Sequence, residues 1–221
     1  MTIEERLFAL RDEKYAAFTA KLIPNVNPDC IIGVRAPQMR QLARELKGTH
    51  EADVFLSVLP HRYLEENGLH AALLEGVKDF DAAICEVERF LPYVDNWGTC
   101  DTLSPRVFAK HTDELLPHIC RWMAARHEYT VRFGIGMLMR YYLDIHFREE
   151  YLQWVASIDR EEYYIKMIEA WYFATALAKQ WDATLPVIAG LPDWVRRKSI
   201  QKACESYRVP QAHKDVLRGL R

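Results

Sequence analysis

The sequence predicts an all-α fold, a solenoid of stacked antiparallel helix pairs enclosing a concave cleft. Three observations point there. Apolar residues recur at helical spacing along nearly all of the 221 residues. No alternating stretch is long enough to read as a convincing strand. From residue 61 onward the helical segments come in pairs repeating every ~30 to 35 residues, too short a unit to bury its own apolar face without stacking on neighbours.

The first helix is expected over 3–20. A loop-like stretch follows at 24–36, PNVNPDCIIGVRAP, and Pro37 is placed to start the next helix because its ring fixes φ at a helical value. Further helices are expected near 37–47, 51–59, 61–78, 80–93, 96–109, 113–126, 129–144, 148–157, 161–179, 181–190, 192–207 and 210–220. The separators are turn signals, among them Pro60, Pro92, Pro105, Asp159 and Gly190–Leu191–Pro192. Segments 129–144 and 161–179 are apolar almost all round, which places them in the middle of an array with contacts on both sides. The repeat length is that of a HEAT-type solenoid, and the whole chain, 1–221, is expected to be a single domain.

Composition narrows the function classes. Half the residues are hydrophobic and 27% are charged, so the chain is globular rather than disordered. No apolar run approaches the ~20 residues that span a bilayer, and the charged N-terminus has no signal core. A cytoplasmic monomer with no membrane partner is expected. Five cysteines, odd in number and never spaced CxxC, fit a reducing compartment. Eight histidines include no HxxxH or HExxH pair, so neither a metal nor a cofactor is expected. Glu65, Glu66 and His70 lie within about one helical turn of each other and read as a solvated helix face.

The net charge of −2 carries no global signal for nucleic acid, but the charge is uneven. Residues 191–221 hold eight Lys/Arg, Lys202 among them, against three acids, while 144–162 hold six acids against two arginines. A local basic surface is therefore expected at the C-terminal end.

Polar residues on the most apolar helices carry the functional reading. Arg132, Gly136 and Arg140 share one face at i, i+4 and i+8, with only apolar residues or glycine between Arg132 and Arg140. A guanidinium in such a place needs a partner or a solvated cleft. The two arginines either grip phosphates around a glycine that lets a backbone approach, or Arg132 pairs with an acid of a neighbouring repeat. In LPYVDNWGTCDTLSP, Trp97 and Asp101 stand four apart on a short helix that Asp95 or Asn96 can cap and Pro105 closes or restarts. An indole beside a carboxylate can stack on a sugar or base while the acid meets a positive charge; equally, it can be a core tryptophan above a capping aspartate. Helix 161–179 adds Trp171 with Thr175 one turn on, and Lys166 with Ala170 on an adjacent face. Equivalent helices of successive repeats line one concave surface, which is how these side chains could converge.

These residues also carry a family resemblance. Through IIGVRAPQMRQLAREL (31–46), LPYVDNWGTCDTLS (91–104), YTVRFGIGMLM (129–139), YYIKMIEAWYFATALAK (163–179) and IQKACESYRVPQAHKDVLRGL (200–220), the chain resembles the DNA alkylation repair family, the AlkD-like DNA glycosylases built from HEAT-like repeats. The resemblance implies a right-handed solenoid holding double-stranded DNA with alkylated bases. It implies catalysis by Asp101 with Trp97 and Trp171 around the deoxyribose, and DNA binding by Arg132 and by Arg35 of the G-V-R-x-P segment. Arg140, Lys166 and Lys202 complete the cations expected on DNA. In glycosylases of this type an acid tends to follow the first tryptophan, and here Gly98 stands in that place. Two other functions use the same fold: binding of duplex or branched DNA without base excision, and a HEAT-type scaffold for protein interaction.

Overall fold

A computed structural model of the chain describes residues 1–220. Among these residues there are fourteen α-helices, three short 3₁₀ turns and no strand, as the periodicity predicts. Packing divides the chain into two compact units, Met1–Thr112 and the part from Asp113 onward. The first unit holds α1 (Ile3–Ala9), α2 (Glu13–Leu22), α3 (Ala36–Leu46), α4 (His50–Ser57), α5 (Leu64–Leu74), α6 (Phe80–Phe90) and α7 (Trp97–Thr102). The second holds α8 (Thr112–Met123, whose first residue closes the first unit), α9 (Glu128–Tyr141), α10 (Glu150–Ala156), α11 (Tyr163–Lys179), α12 (Trp181–Gly190), α13 (Asp193–Glu205) and α14 (Gln211–Gly219). No helix is long and apolar enough to cross a membrane.

Each unit is organised around one central helix. In the first, α5 lies between α3 and α7, and Leu69 and Leu73 of α5 pack with Ile3, Leu7, Met39, Leu42 and Leu46. In the second, α11 lies between α9 and α13 and also touches α12. Buried residues run round almost every side of α11, including Ile165, Ile168, Tyr172, Phe173 and Leu177. A helix apolar on all sides can satisfy that surface only with neighbours on both flanks, which is why 161–179 has its central place.

Two expected helices are interrupted. The segment 3–20 is two helices because Asp12 leaves the helical conformation and its Oδ1 accepts the Tyr15 amide at 2.9 Å, capping α2. A short acidic side chain competes well for a free backbone N–H, which periodicity alone does not register. The segment 96–109 ends as an α-helix at Thr102, and Arg106–Lys110 continue as a 3₁₀ turn after Pro105.

The face at Glu65, Glu66 and His70 is not solvated, contrary to the expectation. Glu66 folds back to accept the Arg62 and Tyr63 amides at 3.0 and 2.9 Å, closing the start of α5. Glu65 turns inward, is 5% exposed, and accepts the Ile32 and Gly33 amides at 2.8 and 2.7 Å, with Val34 at 3.4 Å. His70 is fully buried, stacks on Phe90 at 4.0 Å and shares a 2.9 Å hydrogen bond with His61. The reason is tertiary. Where the loop 24–36 passes α5, the amides of residues 32–34 have no backbone acceptor, and a buried carboxylate satisfies them. Gly33 makes the crossing feasible: its φ is +92°, and a Cβ there would stand 2.3 Å from the Asp12 carbonyl oxygen.

Candidate nucleic-acid interface

In the first unit, α7 presents Trp97 and Asp101. Asn96 caps this helix: its Oδ1 accepts the Thr99 amide at 2.8 Å, and its Nδ2 donates to the Asp95 carboxylate and the Thr99 hydroxyl. Asp101 therefore does not cap α7. It sits half-buried in the last turn, where the helix dipole disfavours a negative charge, one turn beyond Trp97 on the same face. The Trp97 indole N–H donates to the Leu22 carbonyl at 3.1 Å, and its ring packs beside Ile23, Val26 and Ile31. The ring is thus anchored by the end of α2 while part of it stays exposed. At Gly98 a Cβ would meet the Asn96 Oδ1 and Ile23 Cδ1, both at 3.2 Å. An acid at this position would stand against an amide oxygen, so glycine suits the cap that Asn96 makes.

Arg35 begins α3 on the far side of Gly33. Its Nε and Nη2 bind Asp12 Oδ2 at 3.0 and 2.8 Å, and its guanidinium lies 4.9 Å from the centre of the Tyr15 ring. The Tyr15 amide and, after it, the Arg35 guanidinium hold the Asp12 carboxyl below its usual range. More than half of the Arg35 side chain remains in solvent, in a hollow that Lys14 and Gln38 also line.

In the second unit, Arg132 and Trp171 occupy the seam between α9 and α11. Arg132 is 6% exposed, and its Nη1 donates to the Tyr164 carbonyl at 2.9 Å. Glu128, one turn earlier, accepts the Tyr164 amide at 3.2 Å, so two charged residues of α9 hold both backbone groups of one residue in the first turn of α11. Tyr164, Trp171 and Thr175 share one stripe of α11 at i, i+7 and i+11. Tyr164 and Thr175 touch α9, through Arg132 and Met139. Trp171 lies between them on that stripe and is 41% exposed.

Arg140 is exposed in the last turn of α9, two turns beyond Arg132. Between them a Cβ at Gly136 would meet nothing, whereas one at Gly134 would lie 2.9 Å from the Met123 amide nitrogen and 3.1 Å from Trp122 Cβ. Gly134 is the close contact between α8 and α9; Gly136 faces open space. Gly136→Ala is therefore expected to stabilise the fold by about 0.5–1 kcal/mol through helix propensity. Gly134→Ala is expected to destabilise it. Thermal melts of the two variants check both signs, and a Gly134→Ala variant as stable as the wild type would show that α8 and α9 can move apart there.

Lys166 pairs with Glu161 at 3.0 Å and lies over the Trp194 ring at 5.5 Å, so it faces α13. Lys202 is partly exposed on α13. The acidic segment 144–162 is largely engaged within its own unit: Asp144 pairs with Lys179, Glu162 with Arg160 and Glu150 with Arg148. Arg160 also donates to the Ala125 and Arg126 carbonyls at the end of α8.

One residue on α11 escaped the sequence reading. Glu169 is 4% exposed, and its Oε1 has no hydrogen-bond partner. Burial raises its carboxyl from 4.5 to about 8, Lys166 draws it back, and Glu161 pushes it further up. The signal was present, since Glu169 is an acid inside the apolar run IEAWYFATAL. Between pH 4.5 and 8 the folded chain holds a proton that the unfolded chain has released, so stability falls as pH rises through that window. Glu169→Gln is expected to gain on the order of 2 kcal/mol at pH 8 and little at pH 4. Urea midpoints at the two pH values measure this, and an equal gain at both would exclude titration of Glu169 as the cause.

Residues 3–171 match a family model described as DNA alkylation repair enzyme. No curated protein matches the chain.

Proposed function

This chain belongs to the DNA alkylation repair enzyme family, and on that premise we propose that it is a monofunctional DNA glycosylase for cationic purines alkylated at N3 or N7. The observation that carries this reading is the pair on α7: a half-buried carboxylate, Asp101, one turn from the anchored ring of Trp97, on a helix already capped by Asn96. The chemistry asks little more. Breaking the C1′–N bond sends its electron pair to a base that is already positively charged, so acid assistance is hardly needed. The positive charge then moves to an oxocarbenium-like sugar, which a carboxylate stabilises. Asp101 also orients the water that adds to C1′ and takes its proton. Trp97 and Trp171 offer ring faces to the cationic sugar. Arg132 and Arg140 bind backbone phosphates, Arg35 approaches the bases near the lesion, and Lys166 and Lys202 add positive charge to the DNA-binding surface. No metal or cofactor enters any step. A HEAT-like solenoid acting as a monomer in the cytoplasm is the form in which we expect this activity.

The test is release of free base from duplex DNA bearing 7-methylguanine, measured by chromatography under single-turnover conditions with protein in excess. Appearance of the free base is expected, and its absence would reject this substrate class. Gly98 favours a second reading, since it stands where glycosylases of this type tend to carry an acid, and a Cβ there would press on the Asn96 cap and Ile23. The chain would then bind duplex or branched DNA with steep salt dependence and leave every base in place. A protein-interaction scaffold is the third possibility, marked by no DNA affinity at low salt and by indifference to Arg132→Ala.

A further inference from the structure

We infer that the second unit carries a separate site for an unpaired nucleotide, built on α13 beyond the residues that the family model matches. A hollow of about 570 Å³ is lined by Trp194, Arg197, Lys198 and Gln201 with Asp193, within the range of about 300–1,000 Å³ usual for small-molecule sites. Positions 194, 197, 198 and 201 follow i, i+3, i+4 and i+7 and so form one face of the helix. Trp194 is 38% exposed. It is held from one side by the edge of Tyr163 at 5.9 Å, itself 56% exposed, and from another by the Lys166 ammonium at 5.5 Å.

The charges are arranged for a phosphate. Lys198 donates to the Gln201 amide oxygen at 3.1 Å rather than to a carboxylate. Asp193 is held by both Arg196 and Arg197, at 2.6 and 3.1 Å, and Arg197 keeps most of its side chain in solvent. The Glu161 that pairs with Lys166 is 92% exposed and easily displaced. Aromatic faces interleaved with cations suit single-stranded nucleic acid, in which a base can offer its flat face for stacking. Inside a duplex those faces are covered by neighbouring base pairs and only edges and backbone are available. The occupant that fits is therefore a frayed, gapped or overhanging nucleotide of a DNA substrate, with its base on Trp194 and its phosphate on Lys198 and Arg197.

This site rests on the DNA-binding reading above, and one set of affinities separates the two. Three DNAs are compared by fluorescence anisotropy: a blunt duplex of about 20 base pairs, the same duplex with a tail of about four thymidines, and the same with an abasic tail of equal length. The thymidine tail is expected to tighten binding about tenfold and the abasic tail to give little of that gain. Trp194→Ala should erase the gain and leave blunt-duplex affinity unchanged, while Trp194→Phe, which keeps a ring, should retain most of it. An abasic tail as good as thymidine, a gain that survives Trp194→Ala, or equal loss on blunt and tailed DNA would each overturn the site. Base release from blunt 7-methylguanine duplex without any tail effect rejects this site alone. A tail effect carried by Trp194 without base release rejects the glycosylase alone.

Discussion

Asp101→Asn is expected to lower the rate of base release on the order of 10³-fold while leaving the affinity for alkylated duplex no weaker. The substitution keeps the shape of the side chain and removes its charge. Asn96, not Asp101, caps α7, and the anchor of Trp97 to Leu22 does not involve position 101. Binding should hold or improve, since a negative charge near DNA disfavours phosphate approach. The rate should fall because the developing cation loses its counter-charge and the water loses its acceptor. Single-turnover release and equilibrium anisotropy on the same DNA measure the two quantities. A variant that cuts as fast as the wild type would remove Asp101 from the chemistry, and one that loses binding and cutting together would make it a structural residue.

Glu65→Ala is expected to destabilise the fold by about 3–5 kcal/mol, a large share of the ~5–15 kcal/mol typical of a folded domain. The carboxylate is 5% exposed and accepts the Ile32 and Gly33 amides closely and Val34 more distantly. Truncation leaves these donors without water or partner and opens a gap beside α5. Glu65→Gln keeps one acceptor oxygen but turns an amide N–H₂ toward backbone N–H groups, so an intermediate loss is expected. Because the same loop presents Arg35, both variants are also expected to weaken DNA binding, by no more than Arg35→Ala does. Urea midpoints give the stability change, and a Glu65→Ala variant as stable as the wild type would show that the amides find other partners. The effect should be larger than any from Glu66, which accepts amides only at the start of its own helix.

Much of this molecule was legible in its residues. Helices from α3 to α14, apart from the shortened α7, follow the apolar periodicity closely, since 3.6-residue spacing and the prolines at 60, 92 and 105 act within one or two turns of chain. The central place of 161–179 was legible too, because a helix apolar all round has no other stable place. The Trp97–Asp101 pair and the Arg132–Arg140 stripe were visible as polar residues at helical spacing. The break at Asp12 was not, since a cap differs from a mid-helix aspartate only in what its carboxylate accepts. Trp194 stood out no more than five other tryptophans until Tyr163 and Lys166 were found against its ring.

The division falls between local and long-range interactions. Helix positions, their apolar faces and the residue types on each stripe are set by near neighbours in the chain, so the amino-acid order specifies them directly. Which polar side chain is buried, and by what, depends on elements some 30 residues away: Glu65 on the 32–34 amides, Arg132 on the Tyr164 carbonyl, Glu169 on packing that leaves its Oε1 alone. A burial of this kind is a property of the space between helices rather than of any one of them. For that reason Glu65 reads as solvated in sequence and only the packed fold turns it inward.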